Sequence, residues 1–191
     1  MCPACHQKVP QETLYDKLRR LQSSKPAFAA GDLATLSPVL GDPEFLEYSL
    51  LVATEVAPVR TIQDLLERGA RVDISLTDFE NPLVAAVDRG DLEVLRVLLS
   101  AKKWESYAGS ALRRAVDGNN LAMFNQLLGA KSWAYDGEDA FSAACSQYKL
   151  DFAKALLEAG VNVNSKSQNT HATPLIWACQ QHAQPINDKT A

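Results

Sequence analysis

Pairs of short apolar stretches recur along the chain, and the second stretch of each pair ends in two adjacent leucines. These Leu-Leu pairs fall at 65–66, 98–99, 127–128 and 156–157. Within the second stretch, apolar residues recur every three or four positions, as in Leu92, Leu95 and Leu99, which is the spacing of one helix face. This spacing therefore predicts that each unit forms two short helices joined by a tight turn.

The predicted first helix of each unit carries an alanine at a fixed position: Ala53, Ala86, Ala115, Ala144 and Ala178. A small side chain there lets the next helix approach closely. One helix pair cannot bury the apolar face of its second helix alone, so copies are expected to stack, and three or more are needed for a stable stack. The predicted fold class is all-α, a solenoid of stacked helix–turn–helix units with short loops.

These units resemble the ankyrin repeat. Its Thr-Pro-Leu-His opening is matched by Thr173-Pro174-Leu175 and Asn81-Pro82-Leu83, and its inter-helix turn by Gly90-Asp91-Leu92. Its closing segment is matched at 65–73 and 156–164. The likeness covers about 45–181, although two units lack the proline and Asp117-Gly118-Asn119 replaces the usual turn. Two periods of 29 residues are shorter than the family's ~33 and predict trimmed loops.

The repeat pattern predicts how the chain is organised. It gives a flexible N-terminal tail at 1–10, a solenoid at 11–184 and a C-terminal tail at 185–191. The solenoid comprises a weak N-terminal cap or first unit at 11–43, clear repeats at about 44–75, 76–104, 105–133 and 134–167, and a partial unit at 168–184. The partial unit shows no second helix, so the chain is also consistent with an excerpt of a longer protein.

The resemblance implies a non-catalytic module that binds a protein partner through its concave face and loop tips. The loop-tip candidates are Asp78, Phe79, Glu80, Tyr107, Tyr135, Asp136 and Glu138. The candidates near the end of each first helix are Asp88, Arg89, Arg114, Asp117, Gln147 and Tyr148. Arg114 occupies a position that is apolar in the other units, so it is either paired or solvent-facing. Trp104 and Trp133, which are register equivalents, are interpreted as packing residues.

Three register-equivalent carboxylates, on Glu55, Asp88 and Asp117, predict an acidic row along neighbouring units. Aromatic residues at adjacent loop tips would supply anchors, since tyrosine is enriched in binding hot spots. Together they predict a partner segment that is basic and partly apolar. The alternative is that the acids form a solvated face and the tyrosines pack on neighbouring loops.

Composition narrows the functional classes. The net charge of −4 argues against a nucleic-acid binder, which needs a basic stripe to displace counterions from phosphates. No apolar run approaches the ~20 residues that span a bilayer, so no membrane contact is expected. The N-terminus lacks the apolar region of a secretory signal, and four cysteines without secretory context favour a reducing compartment. We therefore expect a cytoplasmic or nuclear protein.

Chemistry-bearing motifs are sparse. Cys2, Cys5 and His6 form a Cys-x-x-Cys-His pattern, which resembles a haem attachment or half of a zinc site, but no second pair of ligands lies near it in the sequence. We therefore predict neither a metal nor a cofactor. One alternative is an enzyme that uses Glu55, Asp88 and Asp117, with Tyr107 or Tyr135, on a small molecule in the groove. A further alternative is self-association, in which another copy completes the fifth unit.

Overall fold

The computed structural model describes residues 23–32, 43–74, 81–101, 103–130 and 137–164, together with Arg19, Ala34, Thr173 and Ile176. All regular structure in this part of the chain is helical. The chain divides into two compact units, Met1–Ala70 and Arg71–Ala191.

The described residues of the first unit form three helices: α1 (Lys25–Ala30), α2 (Pro43–Val56) and α3 (Val59–Glu67). Helix α2 packs against both α1 and α3. The core between them includes Phe28 from α1, Leu50 and Ala53 from α2, and Ile62 and Leu65 from α3, all of which are fully buried. Helices α2 and α3 thus form one helix–turn–helix pair, as the predicted fold class requires.

Three helix–turn–helix pairs lie in the part of the second unit that the structure describes. They are α4 (Pro82–Arg89) with α5 (Leu92–Ser100), α6 (Ala108–Asp117) with α7 (Leu121–Leu128), and α8 (Glu138–Ser146) with α9 (Leu150–Glu158). A 3₁₀ turn, Glu105–Tyr107, leads into α6.

Polar side chains fix where several of these helices begin. The side-chain oxygen of Asn81 accepts from the backbone N–H of Val84 at 2.9 Å, and Asp91 caps α5 in the same way. Asn120 accepts from the N–H of Met123 at 3.2 Å and caps α7. Such caps satisfy N–H groups that have no partner inside the helix and stabilise the helix by about 1 kcal/mol each.

The pairs of the second unit stack with their first helices together. Helix α6 packs on both α4 and α8, while the second helices α5 and α7 pack on each other. Ala86, Ala115 and Ala144 are fully buried, which confirms the small-residue position. The rings of Phe124 and Phe152 join α7 to α9 in an edge-to-face contact, with centroids 4.7 Å apart.

Several other sequence predictions can be placed on this fold. Trp104 is buried, as its interpretation as a packing residue requires. Trp133, the predicted helix at 11–22 apart from Arg19, and the partial unit at 168–184 apart from Thr173 and Ile176 lie outside the described residues. The repeat and tail boundaries remain predictions. No helix among the described residues is long and apolar enough to cross a membrane.

Candidate functional site

The first helices α4, α6 and α8 bring their last turns into one row of the second unit, where charged side chains cluster. We call this row the mixed-charge strip, defined by Asp88, Arg113, Arg114, Asp117, Gln147 and Lys149. Its members come from three successive repeats, because stacking places residues of the same register side by side.

The first contact of the strip joins α4 to α6. Arg114 donates from Nε to Oδ1 of Asp88 at 2.6 Å and from Nη2 to Oδ2 at 3.0 Å, a two-point guanidinium–carboxylate pair. The hydrogen bonds that Arg114 donates to the Asp88 carboxylate raise the pKa of Arg114 above its ordinary value. The two side chains are 54% and 47% exposed, so the pair lies at the surface.

The second contact joins α6 to the turn after α8. Oδ1 of Asp117 accepts from Nε2 of Gln147 at 2.6 Å, and the same carboxylate pairs with Arg113 one turn earlier at 3.0 Å. Lys149 donates from Nζ to the carbonyl oxygens of Val116 and Asp117, at the C-terminal end of α6. A cation at that end is favourable because the helix dipole is negative there.

The two aspartates of the predicted acidic row are therefore paired with side chains of this same chain. Asp88 and Asp117 are register equivalents on neighbouring helices, as expected, but each accepts hydrogen bonds from arginine and Asp117 also accepts from Gln147. Arg114 is both paired and solvent-exposed, which joins the two alternatives left open by the sequence. The surface presents alternating carboxylate and guanidinium groups.

Other candidate residues occupy separate places. Glu55 lies in the first unit, where it pairs with Nζ of Lys25 at 2.5 Å. Arg89 pairs with Asp91 at 3.1 Å, beside the start of α5. Tyr107 and Glu138 are half-buried at the starts of α6 and α8, respectively.

The remaining candidates lie outside the described residues. They are Asp78, Phe79, Glu80, Tyr135 and Asp136 among the loop tips, and Cys2, Cys5 and His6 near the N-terminus. Two members of the strip, Arg113 and Lys149, were not predicted from the sequence. The i,i+4 spacing of Arg113 and Asp117 was an available signal, whereas nothing local to Lys149 indicates that it reaches the preceding repeat.

Tyr148 has an unusual backbone. It adopts a left-handed conformation with φ +56°, as do its register equivalents Gly90 at +73° and Asn119 at +54°. Glycine and asparagine tolerate this conformation, whereas a bulky side chain is strained there. The tyrosine side chain is nevertheless more than half exposed, beside Gln147 at the end of the strip.

The described part of the chain offers little for covalent or metal chemistry. No group of three or more histidine, cysteine, aspartate or glutamate residues is placed there to hold a metal ion. Burial raises the pKa of the Cys145 thiol, which disfavours the nucleophilic thiolate. The exposed groups of the mixed-charge strip are donors and acceptors of hydrogen bonds.

Comparison with known proteins agrees with the repeat architecture. Residues 112–187 match the family model for ankyrin repeats, which describes three copies. That segment begins within α6 and includes α7, α8 and α9. No curated protein matches the chain.

Proposed function

Because the chain carries ankyrin repeats, which are generally protein–protein interaction modules, we propose that it is a non-catalytic module that binds a protein partner. The partner contacts the mixed-charge strip and the loop tips at the starts of α6 and α8, where Tyr107 and Glu138 lie. The observation that carries this proposal is the row of exposed side chains held between repeats, Arg114 on Asp88 and Gln147 on Asp117.

The ion pairs prepare the strip for binding. Arginine loses up to ~2 kcal/mol of side-chain conformational entropy when it is immobilised. Arg114 is already held at two points by Asp88, so part of this loss has occurred before a partner arrives. The free lone pairs of the carboxylate and the remaining N–H groups of the guanidinium still face solvent and can bond to a partner.

The arrangement also bears on the chemistry of the partner. A segment with only basic residues would meet Arg113 and Arg114 beside the carboxylates that attract it. On the strip itself we therefore propose a partner segment that supplies both donors and acceptors. The basic, partly apolar segment predicted from sequence remains a prediction that depends on the acidic loop tips Asp78, Glu80 and Asp136.

The enzymatic alternative has no support from the described site. Ankyrin repeats are typically non-catalytic, and Asp88 and Asp117 are committed to arginine partners on an open surface. General acid–base catalysis needs a carboxyl group free to exchange a proton at a site that holds its substrate. For the protein-binding module we propose the cytoplasm or nucleus, in keeping with the expected reducing compartment.

Capture of partners from a native lysate tests the proposal. The variant Asp88→Ala with Asp117→Ala removes two carboxylates from the strip. The matched control Asp64→Ala with Glu67→Ala removes two exposed carboxylates from α3. We expect the strip variant to retain less than about a tenth of the partner bound by the wild type, in line with the loss of two or more charged hydrogen bonds, while the control retains it. Equal recovery by both variants would refute the assignment of the strip.

A further inference from the structure

The turn that joins α8 to α9 carries two large apolar side chains at the surface. We call residues 147–150 the α8–α9 turn. Tyr148 is 52% exposed, and Leu150, the first residue of α9, is 67% exposed. The residues that alternate with them, Gln147 and Lys149, bind the end of α6. The polar side chains of the turn thus fasten it to the preceding repeat, while its apolar side chains face largely outward.

Hydrogen bonds of the backbone also fix this turn. The N–H of Tyr148 donates to the carbonyl oxygen of Cys145 at 3.2 Å, and the N–H of Lys149 donates to that of Ala144 at 2.9 Å. The N–H of Leu150 donates to the carbonyl oxygen of Tyr148 at 3.1 Å. The ring of Tyr148 therefore projects from an ordered base, so binding through it costs less conformational entropy than binding through a mobile loop.

Tyrosine is an unfavourable residue at this position of the turn. Its register equivalents in the two preceding repeats are Gly90 and Asn119, which tolerate the left-handed conformation that all three adopt. A side chain that is more than half exposed recovers little of this strain through burial. Strained residues are concentrated at functional sites, and tyrosine is enriched among residues that dominate binding. The strain and exposure of Tyr148 together indicate a binding residue.

The chemistry around the ring indicates the kind of partner that it fits. The face of a tyrosine ring attracts a cation, and arginine can also stack its planar guanidinium on the ring, which lysine cannot. Asp151, an exposed residue of the first turn of α9, supplies a negative charge three residues after Tyr148. Between them in the sequence, Leu150 offers aliphatic surface. These three side chains suit an arginine that has an aliphatic neighbour.

We propose that the α8–α9 turn binds an arginine-containing segment of a protein partner. The guanidinium stacks on Tyr148 and pairs with Asp151, and an adjacent aliphatic residue of the segment packs on Leu150. This inference rests on the protein-binding function proposed above and adds the residue that selects the partner. The equivalent turns present glycine at Gly90 and asparagine at Asn119, so Tyr148 gives this repeat a specificity that its neighbours lack.

Selection of peptides on the full 191-residue chain tests the proposal. The probe is a phage-displayed library of random dodecapeptides, and each selected peptide is then measured against Tyr148→Asn. We expect a group of peptides that bind this variant at least ~10-fold more weakly than the wild type, and this group should be enriched in arginine beside leucine, isoleucine or valine. Replacing that arginine with lysine should weaken binding to the wild type. Tyr148→Phe, which keeps the ring, should bind these peptides within about 3-fold of the wild type.

Urea unfolding without peptide gives a second measurement. Tyr148→Asn should raise the urea midpoint by about 0.3 M, because asparagine tolerates the left-handed conformation better than tyrosine. Tyr148→Phe should leave the midpoint unchanged, since its backbone stays strained. The matched control Leu157→Asn changes an exposed apolar residue at the other end of α9 and should leave peptide binding unchanged. A variant that is more stable and binds more weakly does not owe its loss of binding to unfolding.

Several results would overturn the proposal. If no selected peptide depends on Tyr148, or if the dependent peptides are not enriched in arginine, the turn does not bind as proposed. Peptides that are instead lost in Asp88→Ala with Asp117→Ala would leave the protein-binding function standing. A lower urea midpoint for Tyr148→Asn would assign the ring to packing within the chain. A wild-type dimer that Tyr148→Asn converts to a monomer, as measured by light scattering, would assign the turn to a second copy.

Discussion

Gly90 and Gly118 each follow the last residue of a first helix, but their backbones differ. Gly90 has φ +73° and ψ 19°, in the left-handed region, whereas Gly118 has φ −75° and ψ −1°. In the repeat of Gly118, the left-handed position is taken by Asn119, one residue later. We predict that Gly90→Ala destabilises the protein and that Gly118→Ala does not.

The expected magnitude follows from two terms. An L-residue in the left-handed conformation costs about 1–2 kcal/mol, and this cost applies only at Gly90. Replacing glycine by alanine also restricts the unfolded chain, which stabilises the native state by about 0.4–1 kcal/mol at either site. The second term cancels when the variants are compared, so their unfolding free energies should differ by about 1–2 kcal/mol.

Steric contacts do not obscure the comparison. A Cβ added at Gly90 would have Asn120 Nδ2 as its nearest neighbour at 3.9 Å, and at Gly118 it would lie 3.4 Å from the carbonyl oxygen of Arg114. Both are ordinary van der Waals distances. Backbone conformation is therefore the main difference between the sites, and Gly118→Ala should leave stability unchanged or raised.

Urea unfolding followed by circular dichroism measures the difference. If m-values match that of the wild type, the shift in midpoint reports the change in stability. A changed m-value would instead indicate that the repeats no longer unfold together. Equal midpoints for the two variants, or a lower one for Gly118→Ala, would refute the assignment of left-handed strain to Gly90.

Three further predictions concern side chains. A double-mutant cycle of Asp88→Ala and Arg114→Ala should give a coupling free energy of about 0.2–1 kcal/mol in urea unfolding, because the pair is half exposed. Salt at about 1 M should reduce this coupling. A coupling of zero at low salt would contradict the prediction. Phe124→Ala should lower the unfolding free energy by about 3–5 kcal/mol, and Phe124→Leu by less, because the ring is fully buried against Phe152. Equal losses of unfolding free energy in the two variants would argue against that packing. Burial raises the pKa of Cys145, so its thiolate should form at higher pH than that of a free thiol. In a variant with the other cysteines changed to serine, the alkylation rate of Cys145 should therefore still increase above pH ~8.5, the ordinary thiol pKa. An alkylation rate that reaches its plateau below that pH would contradict the prediction.

The helical pairs could be predicted because their signal is local. Apolar spacing indicates which side of a short helix is buried: of the predicted face Leu92, Leu95 and Leu99, Leu95 is fully buried and the other two are half-buried. The fixed alanines were equally informative, since only a small side chain fits between closely stacked helices, as at Ala115. Burial of Trp104 follows from the same register argument.

The charge of the mixed-charge strip could not be predicted in the same way. Comparing one position in each repeat selected Asp88 and Asp117 and predicted an acidic row. The partners of these carboxylates come from other positions: Arg114 is 26 residues from Asp88, and Gln147 is 30 residues from Asp117. Which side chains meet across repeats depends on the offset between stacked helices, and periodicity within one helix does not contain that offset.

The contacts of the strip share a direction that apolar packing alone does not impose. Arg114 reaches back to the carboxylate of the preceding repeat, Gln147 does the same one repeat later, and Lys149 reaches back to carbonyl groups of the preceding helix. Buried alanines and leucines recur in each unit and make similar contacts at each described interface. The polar donors differ from unit to unit, so each interface has polar contacts of its own. The residues that make the strip suitable for a partner are thus the same residues that distinguish one repeat interface from the next, and substitutions there will affect both properties.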